Sequence, residues 1–195
     1  MSRLAPLQPP YAPEIAQQFD RIMRGAPPLL LFRVIASNDR AWEKFRAGSL
    51  LDCGPLTLRE REIVIDRTCA RTACEYEWGV HVGLFSEPAG LTEAQVRATV
   101  LEAADAPCWS EAEQALIAAV DALHLRATLN DAEFASLASH YDPAKIFEII
   151  LLCGFYRTVS YLANGLDLAL EPHAARFPTV LGAIAESANL PAPDF

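Results

Sequence analysis

Apolar and polar positions along most of this chain recur at intervals of three and four residues, the period that gives a helix one buried face. Pro13 opens a helix to about Gly25. Pro27 and Pro28 open a second that Gly48 closes, with Leu29, Phe32, Ile35 and Ala36 as its inner stripe. Thr57 with Glu60 reads as a capping box for a third helix that runs to about Arg71 and turns Ile63 and Val64 inward. A fourth spans about residues 74–85, either continuous with the third or set off from it by a kink. Thr92 with Gln95 and Ser110 with Glu113 repeat the capping signal, and Asn130 or Asp131 starts a short helix. Asp142-Pro143 then begins "AKIFEIILLCGFYRTVSYLANGL", whose almost unbroken apolarity predicts a central, fully enclosed helix. No alternating strand pattern appears, so the expectation is an all-α, single-domain multi-helix bundle. Residues 1–12 read as an extended Pro-rich arm with Leu4, Leu7 and Tyr11 to bury, residues 13–185 as the helical domain, and residues 186–195 as a loose tail.

Composition sharpens this picture. Of 195 residues 52% are apolar, enough for a sizeable core. The net charge of −9 comes without any Lys/Arg-rich run, which argues against a protein held to nucleic acid by phosphate contacts. Five cysteines, Cys53, Cys69, Cys74, Cys108 and Cys153, are an odd count without zinc-ribbon spacing and fit a reducing cytoplasm. Cys53, Cys108 and Cys153 are expected to be buried small hydrophobes. The proline-rich amino end lacks a secretory apolar stretch, and "LLLF" into "VIA" is interrupted by Arg33, so neither export nor a membrane partner is expected.

Candidate chemistry concentrates in "CEYEWGVH". Cys74, Glu77 and His81 stand at i, i+3 and i+7, one face of a helix. Glu77 and His81 are one turn apart, so a carboxylate raises the imidazole pKa while burial lowers it, and the balance suits a general acid or base. Cys74 sits near a helix amino end, which favours a thiolate, but Glu75 and Glu77 oppose it. Zinc held by Cys74, Glu77 and His81 with His124 is chemically allowed, yet the spacing matches no common zinc signature and no metal is expected. A disulfide between Cys69 and Cys74 needs a kink, because five residues of continuous helix rotate the side chains apart. Trp78 and Phe85 are expected in the core. An isolated Glu/His pair on a helix is more often simply satisfied than catalytic, so these residues alone do not establish chemistry.

"LTLREREIVIDRTCARTACEYEWGVHVGLF", followed by "GLTEAQV", resembles the core motif of the carboxymuconolactone decarboxylase and alkylhydroperoxidase D-like family. The resemblance is specific over about residues 57–97 and extends through the last long helix. The peroxidase branch carries a glutamate, eleven residues, then C-x-x-C-x-x-x-H. Glu62 falls on the relay glutamate, Cys74 on the first cysteine and His81 on the histidine, while Glu77 stands where the second cysteine belongs. A carboxylate cannot replace the attacking sulfur of a dithiol cycle. The resemblance implies an all-helical homo-oligomer (dimer, trimer or hexamer) with sites near subunit contacts, and, for the decarboxylase branch, acid/base chemistry without metal or organic cofactor.

The leading expectation is therefore a cofactor-independent lyase-like enzyme acting on a small, anionic lactone or carbonyl compound by decarboxylation, isomerisation or elimination. His81 moves the proton, Glu77 orients and charges it, and Glu62 relays or holds a proton. Tyr76, Tyr156 and Asn164 are weaker candidates for substrate hydrogen bonds. Arg59, Arg67, Arg71 and Arg157 could supply local positive charge, though surface ion pairing is their commoner role. Two rivals stand beside this reading: a thiol peroxidase using Cys74, with Cys69 as resolving thiol, and a non-catalytic helical scaffold whose motif serves packing.

Overall fold

The computed structural model describes residues 2–179. The described residues form an all-α bundle of helices α1 (Pro13–Met23), α2 (Leu30–Ile35), α3 (Asp39–Gly48), α4 (Leu58–Arg71), α5 (Glu75–Phe85), α6 (Glu93–Leu101), α7 (Glu111–Arg126), α8 (Asp131–Ala138) and α9 (Pro143–Gly165). The expected loose tail, residues 186–195, and the last residues assigned to the domain lie outside the described residues.

Local sequence sets most helix starts. Thr57 with Glu60, Thr92 with Gln95, Ser110 with Glu113 and Asn130 with Glu133 each form a complete capping box, satisfying two amides that a helix start would otherwise leave unpaired. Asp142 caps α9 ahead of Pro143. The expected single helix from Pro27 to Gly48 is instead two, because the Asn38 side chain accepts a bond from the Ala41 amide and starts α3 afresh. Its inner residues also differ: Leu31 and Val34 join Ile35 and Ala36 in the core, while Leu29 and Phe32 are only half-buried.

α4 is the axis of the fold, packing on α5, α6, α7 and α9. Every residue from Glu62 to Cys69 is buried, so this helix has no solvent face along its middle. Arg67 is fully buried, contrary to its expected surface role. Its guanidinium donates to both oxygens of Asp121 on α7, each at 2.7 Å, and to the carbonyls of Ala98, Thr99 and Glu102 at the end of α6. A planar five-donor group satisfied in this way binds three helices at one point.

α4 and α5 are not continuous. Ala73 adopts the left-handed conformation (φ 51°), the Cys74 amide donates back to the Cys69 carbonyl at 2.8 Å, and Asn164 of α9 donates to the carbonyls of Thr72 and Ala73. This is a Schellman-type stop, followed at once by α5.

α9 departs from the expected fully enclosed helix. One face packs on α4, α5, α7 and α8, but Phe147 (71% exposed), Leu151 and Tyr161 lie on the surface. α9 has the length and apolarity of a membrane span, and half of its most apolar window is buried inside the bundle, as in a core helix.

After α9 the chain returns as a strap across α5. The Ala175 amide donates to the Gly79 carbonyl at 3.0 Å, the Phe177 amide to Glu75, and the Phe177 ring rests on Trp78. Glu171 accepts from the Tyr76 hydroxyl at 2.5 Å and from the Leu30 amide at 2.6 Å. Gly79 permits the close approach: a Cβ there would collide with the Ala175 carbonyl oxygen.

Candidate active site

His81 is the centre of a buried polar cluster where α4, α5 and α9 meet. Its Nδ1 lies 2.7 Å from Glu62 Oε2, its Nε2 lies 3.5 Å from Glu77 Oε1, and the Tyr156 hydroxyl is 3.1 Å from Nε2. Arg61 donates twice to the other Glu62 oxygen, from Nε at 3.0 Å and Nη2 at 2.9 Å. His81, Glu62, Glu77 and Tyr156 are all buried. Burial alone would lower the imidazole pKa, but the hydrogen bonds and charges of Glu62 and Glu77 overcome it and raise His81 to about 10. That shift favours the imidazolium at neutral pH, the form that can donate from both nitrogens.

The sequence pairs His81 with Glu77, one turn away; the closer partner is Glu62, contributed by α4. Spacing within α5 could not find that contact. Asp66, one turn after Glu62 on α4, was missed altogether. It is 1% exposed, its Oδ1 has no hydrogen-bond partner, and burial followed by the charge of Glu62 raises its pKa well above the usual carboxylate range. An i, i+4 acidic pair, Glu62 and Asp66, flanking the apolar run Ile63, Val64 and Ile65 was the available signal. Glu77 Oε2 is likewise buried without a partner.

Cys69 and Cys74 lie beside this cluster, both fully buried and both free. The Schellman-type stop sets them in the two positions whose side chains commonly touch across such a turn. Burial, then the charges of Cys74, Glu77 and Asp66, pushes the Cys69 thiol well up. Burial raises Cys74 too, opposed by the Glu77 amide and the Ser160 hydroxyl. Cys53 is exposed and Cys108 half-buried, so of the three expected buried thiols only Cys153 is in the core.

Tyr76 and Asn164 are placed away from His81. The Tyr76 hydroxyl links α2 to the strap, and Asn164 holds the α4–α5 stop. His124 lies on α7 at a separate cavity, and among the described residues no group of three or more His, Cys, Asp or Glu is arranged to hold a metal. Neither of the two principal cavities is lined by His81 or Cys74. The half-buried Phe85 ring covers His81 at 5.3 Å between centroids, and the Arg61 guanidinium lies over Phe85 at 5.7 Å. His81 itself is 3% exposed.

Residues 37–121, under half of the chain, match the model of the Carboxymuconolactone decarboxylase family. No curated protein sequence matches this chain significantly. Among solved structures, an uncharacterized peroxidase-related protein from Silicibacter sp. TM1040 superposes with a TM-score of 0.78 at 17% identity, covering 91% of this chain and 96% of that one. A second peroxidase-related protein, described as an alkylhydroperoxidase AhpD core, from Ralstonia eutropha JMP134, gives 0.74 at 17% identity over 88% and 93%. The debrominase Bmp8, solved in complex with 2,3,4-tribromopyrrole, gives 0.69 at 18% identity over 87% and 92%. These likenesses show an alkylhydroperoxidase D-like fold. The family core contains Glu62, Asp66, Cys69, Cys74, Glu77 and His81; Tyr156 reaches the cluster from α9, outside the matched span.

Proposed function

We propose that this protein is an acid/base enzyme of the carboxymuconolactone decarboxylase type, needing no metal or organic cofactor, and acting on a small anionic lactone or carbonyl compound. One observation carries the reading: a fully buried imidazole is held in its charged form between two carboxyl groups, an arrangement costly to desolvate and suited to proton delivery. His81 is the proton donor to the enolate or alkoxide that forms as a bond to carbon breaks, with Tyr156 on the same Nε2–H. Glu77, with an oxygen free of partners, is the base that takes a proton from carbon or hydroxyl. Glu62 holds the charge of His81 from the far side and Arg61 holds Glu62. Substrate enters where Phe85 swings aside, and the Arg61 guanidinium, still held on Glu62, meets the substrate's carboxylate through its remaining donors. The working form is a cytoplasmic homo-oligomer, a reading supported by the exposed Phe147 and Leu151 on α9.

The test is a screen of carboxylated lactones and β-keto acids against the parent protein, His81→Gln and Glu77→Gln. Turnover that falls by roughly 10²- to 10⁴-fold in His81→Gln, with the fold retained, supports the reading. Absence of turnover across the screen, with His81→Gln changing stability alone, would favour the scaffold reading, which the burial of His81 also favours.

A thiol reading rests on the contact position of Cys69 and Cys74. There the Cys74 thiolate attacks a hydroperoxide oxygen, giving Cys74 sulfenic acid and an alcohol. The Cys69 thiol then condenses with it, forming the disulfide and releasing water, and an external dithiol reduces the product. The raised thiols of both residues weigh against it. Fast, selective trapping of sulfenic acid at Cys74 by a dimedone-type probe, absent in Cys74→Ser, would establish it.

A further inference from the structure

A cavity of about 630 Å³ opens between α4, α7 and α9, away from the His81 cluster. At 100° per residue, its lining residues Thr68 and Arg157 stand about a third of a turn around α4 and α9 from the residues that face His81. Much of the wall is apolar, including Leu123 and Ile150, but three basic side chains line it, His124, Arg126 and Arg157, and no Asp or Glu does. In a chain of net charge −9 that is a local reversal of sign.

The three are not equivalent: burial and the charges of Arg157 and Arg71 lower the His124 pKa, so the two arginines carry the positive charge. Arg126 is neutralised by a two-oxygen pair with Glu133, at 2.6 and 2.7 Å. Arg157 instead donates from Nε to the Tyr161 hydroxyl at 2.7 Å and from Nη1 to the His124 carbonyl at 2.9 Å. Those contacts fix the guanidinium plane, leave Nη2 without a partner in these bonds, and pair it with no carboxylate among the described residues. Two further polar atoms at this cavity are buried with no hydrogen-bond partner: the Thr68 hydroxyl, on a residue 4% exposed, and His124 Nδ1. The Cys153 thiol, also on the wall, lies beside Thr68. Buried polar groups without partners are costly, and a pocket that gathers two of them around an unpaired guanidinium on an apolar wall has the form of a ligand site.

We propose that this cavity binds a small organic carboxylate with an apolar body, its oxygens meeting Arg157 and the Thr68 and His124 polar atoms, its hydrocarbon part lying along Leu123 and Ile150. The site is separate from the acid/base centre, and its existence does not depend on the reaction proposed there.

Benzoate, hexanoate and the neutral benzamide, titrated by calorimetry and by ligand-observed NMR, test it. The expected result is saturable binding of at least one carboxylate and binding of benzamide at least about tenfold weaker, the difference a charge-assisted hydrogen bond makes. Arg157→Gln is expected to weaken carboxylate binding at least about tenfold. Gly154→Leu fills the cavity from its wall, where an added Cβ meets nothing within 4 Å, and is expected to abolish binding while favouring the helix. Circular dichroism checks that each variant is folded, and either variant serves if the other is not. Failure of both carboxylates to bind the parent protein overturns the proposal. So does equal affinity for benzamide, or undiminished binding in a folded Arg157→Gln or Gly154→Leu protein.

Discussion

Replacing His81 by Gln removes one proton from the folded protein's titration, and its effect on stability against pH follows from the cluster geometry. In the unfolded chain a histidine titrates near 6.5; in the folded chain Glu62 and Glu77 raise His81 to about 10. Between these values the folded state holds a proton that the unfolded state has lost. Stability from this group is thus fully present below about pH 6.5 and drains away as pH rises towards 10, by about 1.4 kcal/mol per pH unit. The whole interval has a ceiling of about 5 kcal/mol, a large part of the usual stability of a domain. Asp66, whose folded pKa is raised, acts in the same direction as pH rises above its unfolded value near 4, and is raised further in the variant, which lacks the opposing charge of His81. Urea unfolding of both proteins at pH 6.5, 7.5, 8.5 and 9.5 reads the loss of the His81 charge as a difference of slopes. The parent is expected to lose more stability per unit than His81→Gln across this range, with about 1.4 kcal/mol per unit as the ceiling for one proton. Equal slopes, or an imidazole that NMR shows titrating near 6.5, would refute the charged-imidazole account.

Other outcomes follow from the same contacts. Glu62→Gln is expected to lower the His81 pKa further than Glu77→Gln, because its contact is 2.7 Å against 3.5 Å, and ¹⁵N-imidazole NMR reads both. Arg67→Ala leaves Asp121 and three backbone carbonyls without their donor and should cost roughly 3–5 kcal/mol, seen as a lower urea midpoint. Gly79→Ala should push the strap off α5, which limited proteolysis would detect as new cleavage near Ala175. Leu151→Glu should shift a light-scattering mass towards the single chain if the exposed face of α9 joins subunits.

How much was legible depended on the range of the interaction. The boxes at Thr57, Thr92 and Ser110 are complete within four residues, so the sequence contains both halves of each bond. The start of α3 at Asn38 was equally local, but the apolar stripe running through it hid the cap. The Glu62–His81 contact joins residues 19 apart across the Ala73 break, and only the family resemblance pointed to Glu62. Arg67 has the composition of a surface arginine, and its burial depends on Asp121, 54 residues away. For α9, apolarity reports that a side chain avoids water without saying whether its own chain or another surface covers it.

The Glu171 carboxylate joins three distant stretches of the chain: the start of α2, the helix α5 and the strap. On a ribosome these are made in that order, and Glu171 emerges after all nine of the described helices. Until then α5 lacks its outer cover, with the Tyr76 hydroxyl holding only the Leu31 amide and Trp78 without the Phe177 ring. Assembly of the candidate site is thereby deferred almost to the end of synthesis, so a transcript interrupted before codon 171 would yield a chain with every catalytic candidate present and the helix carrying Glu77 and His81 uncovered.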